Sequence, residues 1–328
     1  MPSLSEKEII YTTFAPLSQG TTTDLGLTDD AALWTPSPDQ DYVITKDSLV
    51  AGVHFFADDP PQTIGWKSLA VNLSDLAAKG AAPEFYLLAI ALPDELPTDW
   101  IREFAAGLNT LQEEAKCFLI GGDTVYTPGP LTISITAFGN IPKGGFVARR
   151  GAKAGDQIYV SGTIGDAALG LDLRKSELAR ESYTSDKHKI FLIDRYLRPE
   201  PRIRLAEPVR QFATAAMDVS DGLAGDLSTI CELSDCGATL YVEQLPFSAA
   251  TRAMLDQSPQ LLGQVLSGGD DYEILLTVQP DLAMEFEQAA QAINTSVTCI
   301  GEINGETGVT ILNRGQPVEL DTDRYSHF

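Results

Sequence analysis

The 328-residue chain has little cysteine, little histidine and few positive charges. Its four cysteines (Cys117, Cys231, Cys236 and Cys299) form no Cys-x-x-Cys pair. That removes a thioredoxin-like dithiol and leaves buried free thiols in a reducing cytoplasm as the expectation. Histidine occurs only as His54, His188 and His327, too few to suit a His-based zinc site. Lys and Arg number 23 against 46 Asp and Glu, a formal net charge of -23. No basic stripe exists to neutralise a phosphate backbone, which argues against a nucleic-acid partner. No run is long and apolar enough to span a bilayer. Met1 to Ile10 holds acidic and polar residues where a signal peptide has its apolar core. Gly-x-x-x-x-Gly-Lys-[Ser/Thr], Gly-x-Gly-x-x-Gly, His-Arg-Asp and Asp-Phe-Gly are all missing, so P-loop, Rossmann and protein-kinase readings fail on motif grounds.

What the chain has is aspartate at the edges of small-residue segments. These are Asp29 and Asp30, Asp47, Asp75, Asp123, Asp218 and Asp221, and the later pair Asp270 and Asp271. Carboxylates that converge in a fold repel one another unless cations sit between them. Hard oxygen ligands suit Mg2+, which a few carboxylates and substrate phosphates commonly hold together. The pattern points to a multi-metal phosphoryl-transfer site.

The length suggests two domains, each with its own core. Ser5 to Phe14 reads as a helix with Ser5 as N-cap. Tyr42 to Thr45 reads as a strand ending at Asp47, and Thr63 to Lys79 as a helix stopped by Gly80. Phe85 to Leu92 is a buried strand, and Asp99 to Glu114 a helix with Trp100, Phe104, Leu108 and Leu111 at core spacing. Cys117 to Ile120 is a short strand running into Gly121-Gly122. Leu131, Ile133, Ile135 and Ala137 alternate as in a half-buried strand. Pro142 to Phe146 reads as the connection, giving domains 1–146 and 147–328. Beyond it come strands at 157–160, 216–219, 272–278 and, last, 297–300. Helices are expected at 166–173, 222–233 and 281–293. Lys175 to His188 reads as a polar insertion. Strands alternating with helices argue for two α/β or α+β domains.

Each motif has a plain reading beside the chemical one. Asp75 shares a helix face with Asn72; it is either partnered near the buried stripe or turned to solvent. Gly121-Gly122-Asp123 is either a simple turn or glycine backbone that lets phosphate approach its amides. In Asp218-Val-Ser-Asp221, Ser220 or Asp221 is either an N-cap or part of a helix-terminal phosphate site. His54 among aromatics is either structural or a ligand contact. Arg149-Arg150 is either a solvated patch or a phosphate fork.

The order of these segments is more specific than any one of them. Asp-Asp-Ala-Ala (29–32), Asp-Ser-Leu-Val-Ala-Gly-Val-His-Phe (47–55), Asn-Leu-Ser-Asp-Leu-Ala-Ala-Lys-Gly (72–80) and Gly-Gly-Asp-Thr (121–124) come first. Arg-Gly-Ala-Lys-Ala-Gly-Asp (150–156), Ser-Asp-Gly-Leu-Ala-Gly-Asp-Leu (220–227), Ser-Gly-Gly-Asp-Asp-Tyr-Glu (267–273) and Tyr-Ser-His-Phe (325–328) follow. The series resembles the thiamine-monophosphate kinase family, of the aminoimidazole-ribotide synthetase-like superfamily, from about residue 5 onward. The resemblance implies a two-domain α/β (α+β) fold, with an N-terminal metal- and ATP-binding domain whose sheet pairs with that of a second subunit. It implies a C-terminal α/β domain closing over the nucleotide, and a cytoplasmic homodimer. It implies ATP-dependent, Mg2+-assisted, in-line phosphorylation of thiamine monophosphate. Asp30, Thr45, Asp47, Asp75, Asp123, Asp218 and Asp221 would then hold several Mg2+ ions, with Asp75, Asp123, Asp221 and Arg149 central to catalysis. Gly121, Gly122, Arg149 and Ser220 would contact ATP, and His54, Asp270 and Tyr325 the thiamine substrate. Three positions depart from the family. Thr28 replaces Gly, Asp270 replaces Glu, and Lys46 replaces Thr. Lys46 either contacts phosphate or points outward. Two other readings stay open: a superfamily member activating a carbonyl substrate, and a non-catalytic nucleotide-binding regulator.

Overall fold

The computed structural model describes residues 5–18, 23–94, 96–175 and 185–320. The chain divides into two compact units, one formed by Met1–Leu76 with Ala81–Gly145, the other by Ala77–Gly80 with Phe146–Phe328.

The first unit opens with helix α1 (Glu6–Ile9). The Ser5 hydroxyl accepts the Glu8 amide and the Glu8 carboxylate accepts the Ser5 amide, a reciprocal capping box. The helix continues as a π turn, Ile10–Phe14, and a 3-10 turn, Ala15–Ser18. Strand β1 (Gln40–Val50), helix α2 (Pro61–Ala78), β2 (Ala82–Leu92), helix α3 (Thr98–Ala115), β3 (Phe118–Tyr126) and β4 (Thr132–Pro142) follow. The strands form one sheet in the order β1-β4-β2-β3, antiparallel except for the β2–β3 pair. Two strands run further than their sequence patterns suggest. β1 continues through Asp47 to Val50, and β3 carries Gly121, Gly122 and Asp123 inside the strand, where a simple turn was one of the two readings. The reason at β3 is its neighbour: Gly122 lies so close to β2 that a Cβ would sit 1.8 Å from the Leu88 carbonyl oxygen. Glycine here permits a close strand pair rather than a reversal.

One face of this sheet is buried. Ile133, Ile135 and Ala137 of β4 pair in register with Ile90, Leu88 and Tyr86 of β2, and all are buried. The other face carries Ser134, Thr136 and Phe138 at partly exposed positions, with Ile44 and Val125 exposed. Helices α2 and α3 meet backbone to backbone. A Cβ on Gly65 would lie 2.1 Å from the Phe104 carbonyl oxygen, and one on Gly107 1.9 Å from that of Gln62.

The second unit holds β5 (Gln157–Ser161), α4 (Asp166–Lys175), α5 (Asp186–Leu197), α6 (Ala206–Phe212), β6 (Ala213–Asp218), α7 (Leu223–Ser234) and β7 (Gly237–Tyr241). It continues with α8 (Ala249–Gln257), α9 (Leu262–Ser267), β8 (Ile274–Val278), α10 (Ala283–Ala292), β9 (Val297–Asn304), β10 (Gly308–Asn313) and β11 (Gln316–Pro317). The sheet order is β11-β10-β7-β9-β5-β8-β6. The strand at 297–300 is therefore not the last. Every residue of β8 is buried, because helices cover both faces. Ile158, Val160 and Leu275 pack with Leu223, Leu227 and Ile230 of α7. Tyr159, Ile274 and Leu276 pack with Val209 of α6 and Phe286 of α10. The expected polar insertion at 175–188 lies largely outside the described residues; its end, from Asp186, is the start of α5. Among the described residues, no helix is long and apolar enough to cross a membrane. Cys117, Cys231 and Cys236 are buried, Cys299 is half-buried, and all four are free thiols.

The α2–α3 contact has no room for a methyl group. Gly107→Ala is expected to lower unfolding stability by about 1–3 kcal/mol through overpacking, measured by urea denaturation. An unchanged midpoint would contradict the close crossing.

Candidate active site

Strand alternation sorts the β1 residues by face. Thr45 and Asp47 point to α2, where the Thr45 hydroxyl donates to an Asp75 carboxylate oxygen and the Asp47 amide donates to Asn72 Oδ1 at 3.2 Å. Asn72 is itself buried and donates to the Ser68 carbonyl one turn back. The expected pairing of Asn72 with Asp75 on one helix face is present, and its partner is β1. Burial, and then the neighbouring Asp75, push the Asp47 carboxyl up to about 6, against a smaller pull from Lys46. Two carboxylates facing one half-buried space thus oppose each other's charge, on top of the larger cost of burial. A cation between them would remove that opposition.

Lys46 lies on the opposite face of β1. Its ammonium donates to Ser134 Oγ at 2.6 Å, beside the Ser48–Ser134 hydroxyl pair at 2.9 Å. It points outward rather than toward Asp75. The His54 ring accepts the Val50 amide through Nδ1 at 3.0 Å, which fixes it just beyond the end of β1.

The other acidic group of this unit gathers at the far edge of the sheet. A cavity of about 200 Å³ is lined by Asp24, Asp29, Asp30 and Glu6, by Gly121, Gly122 and Asp123 of β3, and by apolar Ile10, Phe14 and Leu119. Asp30 and Asp123 are exposed. The register runs from Asp47 to Ile135, from Ile135 to Leu88 and from Leu88 to Gly122. Three strand spacings therefore separate the Asp47 edge from the Asp123 edge, about 14 Å. Among the described residues, no three His, Cys, Asp or Glu side chains gather to hold an ion by themselves.

In the second unit, Asp218 ends β6 and is buried, Ser220 is half-buried and Asp221 is exposed. Neither Ser220 nor Asp221 caps α7, as their position suggested. The N-cap is Gly222, without a side-chain bond. Asp226, in the first turn of α7, reaches back instead. Its Oδ2 accepts the amides of Ser220 at 3.0 Å and Asp221 at 3.2 Å. Burial and the Asp221 charge raise the Asp226 carboxyl to about 7, and exposed Arg149 pulls the other way. Arg149 is thereby placed within electrostatic reach of this loop.

Asp270 lies directly alongside. Its amide donates to the Ser220 carbonyl at 2.9 Å and the Tyr272 amide to that of Val219 at 2.9 Å. Asp270 and Tyr272 both adopt positive φ, 71° and 51°, which only surrounding structure can hold. Asp271 and Glu273 of the same segment have other duties. Asp271, fully buried, accepts the amides of Gly165 at 2.7 Å and Ala167 at 3.2 Å where α4 begins. It is not one of a metal-facing set. Glu273 receives Arg195, Arg202 and the Ser161 hydroxyl. Asp226 and Glu273 are the residues that pattern reading missed, and Asp271 was grouped with the metal-facing set although it braces α4. The only available signal for Asp226 and Glu273 was that both stand inside the ordered motif segments. Tyr325 lies outside the described residues.

Comparison with known proteins matches both units. Residues 28–141 match the model for the N-terminal domain of AIR synthase related proteins and residues 153–312 that for the C-terminal domain. The thiamine-monophosphate kinase of Caulobacter vibrioides is 44% identical over 92% of this chain and 85% of its own length. The crystal structure of the thiamine-monophosphate kinase from Stenotrophomonas maltophilia K279a superposes with a TM-score of 0.82 at 41% identity, covering 89% of this chain and 92% of that one. A structure of AaThiL complexed with AMPPCP and TMP superposes at 0.78, with 29% identity over 90% and 89%. The chain belongs to the thiamine-monophosphate kinase family, on the two-domain fold of the AIR synthase related proteins.

Proposed function

We propose that this chain transfers the γ-phosphoryl group of ATP to thiamine monophosphate, giving thiamine diphosphate and ADP. The observation that carries the reading is near-full-length kinship with thiamine-monophosphate kinases, together with a family structure holding AMPPCP and TMP. The acceptor is a phosphate monoester with a second pKa near 6, so it is an anion at neutral pH and needs no general base. The barrier is repulsion between two polyanions, and catalysis is mostly positioning and electrostatic stabilisation. Mg2+ held by the carboxylates would supply that neutralisation. Asp47 and Asp75 fit such an ion, since their opposition is what a cation relieves, and Thr45 adds a neutral oxygen beside them; Asp30, Asp123, Asp218 and Asp221 are the further oxygen donors. Gly121 and Gly122 offer backbone to ATP, and Arg149 and Ser220 offer polar contacts from the second unit. Asp270 supplies negative charge for the thiazolium cation, with His54 and Tyr325 as further substrate contacts. Transfer is direct and in line. Four free thiols suit a reducing cytoplasm.

Purified protein with ATP, Mg2+ and thiamine monophosphate should form ADP and thiamine diphosphate in equal amounts, and EDTA should abolish both. ADP without thiamine diphosphate would sink the acceptor assignment.

The two acidic groups on opposite sheet edges support a homodimer whose site is shared. A second copy that sets its β3 edge beside β1 brings its own Asp30 and Asp123 to the sheet edge at which Asp47 and Asp75 of the first stand. The uncovered sheet face with Ile44, Phe138 and Val125 is the surface such a pairing would bury. Asp75→Asn and Asp123→Asn should each be inactive as pure proteins. Mixed and allowed to exchange subunits, they should regain about a quarter of wild-type activity, because each mixed two-fold dimer restores one intact site. Inactive mixed dimers would place both carboxylates in one chain's site.

Lys46→Thr should keep kcat and both KM values within about threefold of wild type, as surface changes do. A large loss would show that the ammonium leaves Ser134 to serve the phosphates.

A further inference from the structure

Asp226 is an awkward residue to find where it is. It is 2% exposed and stands beside Asp221, whose charge opposes its own. A helix start of this kind is ordinarily satisfied by a side chain outside the helix that accepts helix amides. Here the polarity is reversed, and a helix side chain accepts two amides of the loop outside. One oxygen holds both Ser220 and Asp221. The same loop is fastened from its other side by the Ser220 carbonyl to Asp270, and by Val219 to Glu273 and Tyr272. It has no slack: a Cβ on Gly222 would lie 2.6 Å from the Ser267 backbone, and one on Gly269 1.9 Å from the Ser220 carbonyl oxygen. The Ser220 and Asp221 amides are therefore not free to bind phosphate. What the loop presents is its side chains, at an orientation that Asp226 sets.

We propose that Asp226 is a positioning residue, whose carboxylate fixes the Ser220–Asp221 backbone so that these side chains meet the nucleotide and its metal in one orientation. For its kinetic readout the inference rests on the kinase reading. Loss of a carboxylate that orients ligating groups typically costs ten- to a hundredfold in metal affinity or activity.

The test compares Asp226→Ala, which removes the acceptor, with Asp226→Asn, which keeps one carbonyl oxygen for the two amides. Steady-state kinetics in ATP, Mg2+ and thiamine monophosphate are read beside amide hydrogen exchange of wild type and both variants. Asp226→Ala should raise the Mg2+ concentration needed for half-maximal rate, or the KM for ATP, by about ten- to a hundredfold. The Ser220 and Asp221 amides should exchange faster, while those of Leu227 and Ile230 stay protected. Asp226→Asn should keep the slow exchange and lie within about fivefold of wild type in rate, since an amide oxygen still accepts. Wild-type exchange at both amides in Asp226→Ala would overturn the proposal. So would Asp226→Asn as impaired as Asp226→Ala, which would make the negative charge the essential feature. Should the wild type not turn over thiamine monophosphate, the kinase reading falls, and amide exchange still decides the positioning role.

Discussion

The constraint on which the architecture turns is that negative charges cannot be crowded in protein without something positive among them. Burying an unpaired carboxylate is costly, and a second one beside it compounds the cost. The first unit meets this by dividing its acids. Asp47 and Asp75 stand at one sheet edge, and Asp30 and Asp123 at the other. Asp75 is held by the Thr45 hydroxyl, and the Asp47 backbone by Asn72. These neutral partners set direction without cancelling charge. The acids remain available to a cation.

The second unit solves the same problem with backbone. The loops at 218–222 and 267–273 are tied to one another by main-chain hydrogen bonds and packed where glycine alone fits. Beneath them Glu273 sits with Arg195 and Arg202, an ion cluster whose interruption would leave a charge stranded in the interior. Asp271 anchors the same segment to the start of α4. The candidate ligands Asp218, Ser220, Asp221 and Asp270 thus stand on a braced platform. Such bracing is what phosphoryl transfer asks of a protein, since its contribution is mainly placement.

Much of this was legible in the sequence because it is written in local periodicity. The alternation of Ile133, Ile135 and Ala137 marks β4, and the Ser5–Glu8 spacing marks the first helix start. What was not legible depends on neighbours distant in the chain. Gly121-Gly122 has the composition of a turn, and only the approach of Leu88 reveals a strand. Ser220 and Asp221 have the composition of an N-cap, and only the folded loop, with Gly222 at the cap position and Asp226 accepting the loop amides, shows that they are not. Asp270 and Asp271 are adjacent and identical in type, yet one is half-buried beside the Ser220 loop and the other is sealed against α4. Composition cannot separate such a pair, because burial is decided by what packs on top.

The alternation of β1 has a consequence for how this chain can change over time. Thr45 and Asp47 belong to one face, and Lys46 and Ser48 to the other, so the two sets can drift separately. A lysine at position 46 leaves the hydrogen bonds of the acidic side in place and reaches Asp47 only through its charge. Length is another matter. Deleting one residue between Val43 and Asp47 would leave the hydrophobic content almost untouched and turn every carboxylate and hydroxyl of the strand to the wrong side. Surviving descendants of this gene should therefore accumulate exchanges of letters along β1, and insertions or gaps only beyond its ends.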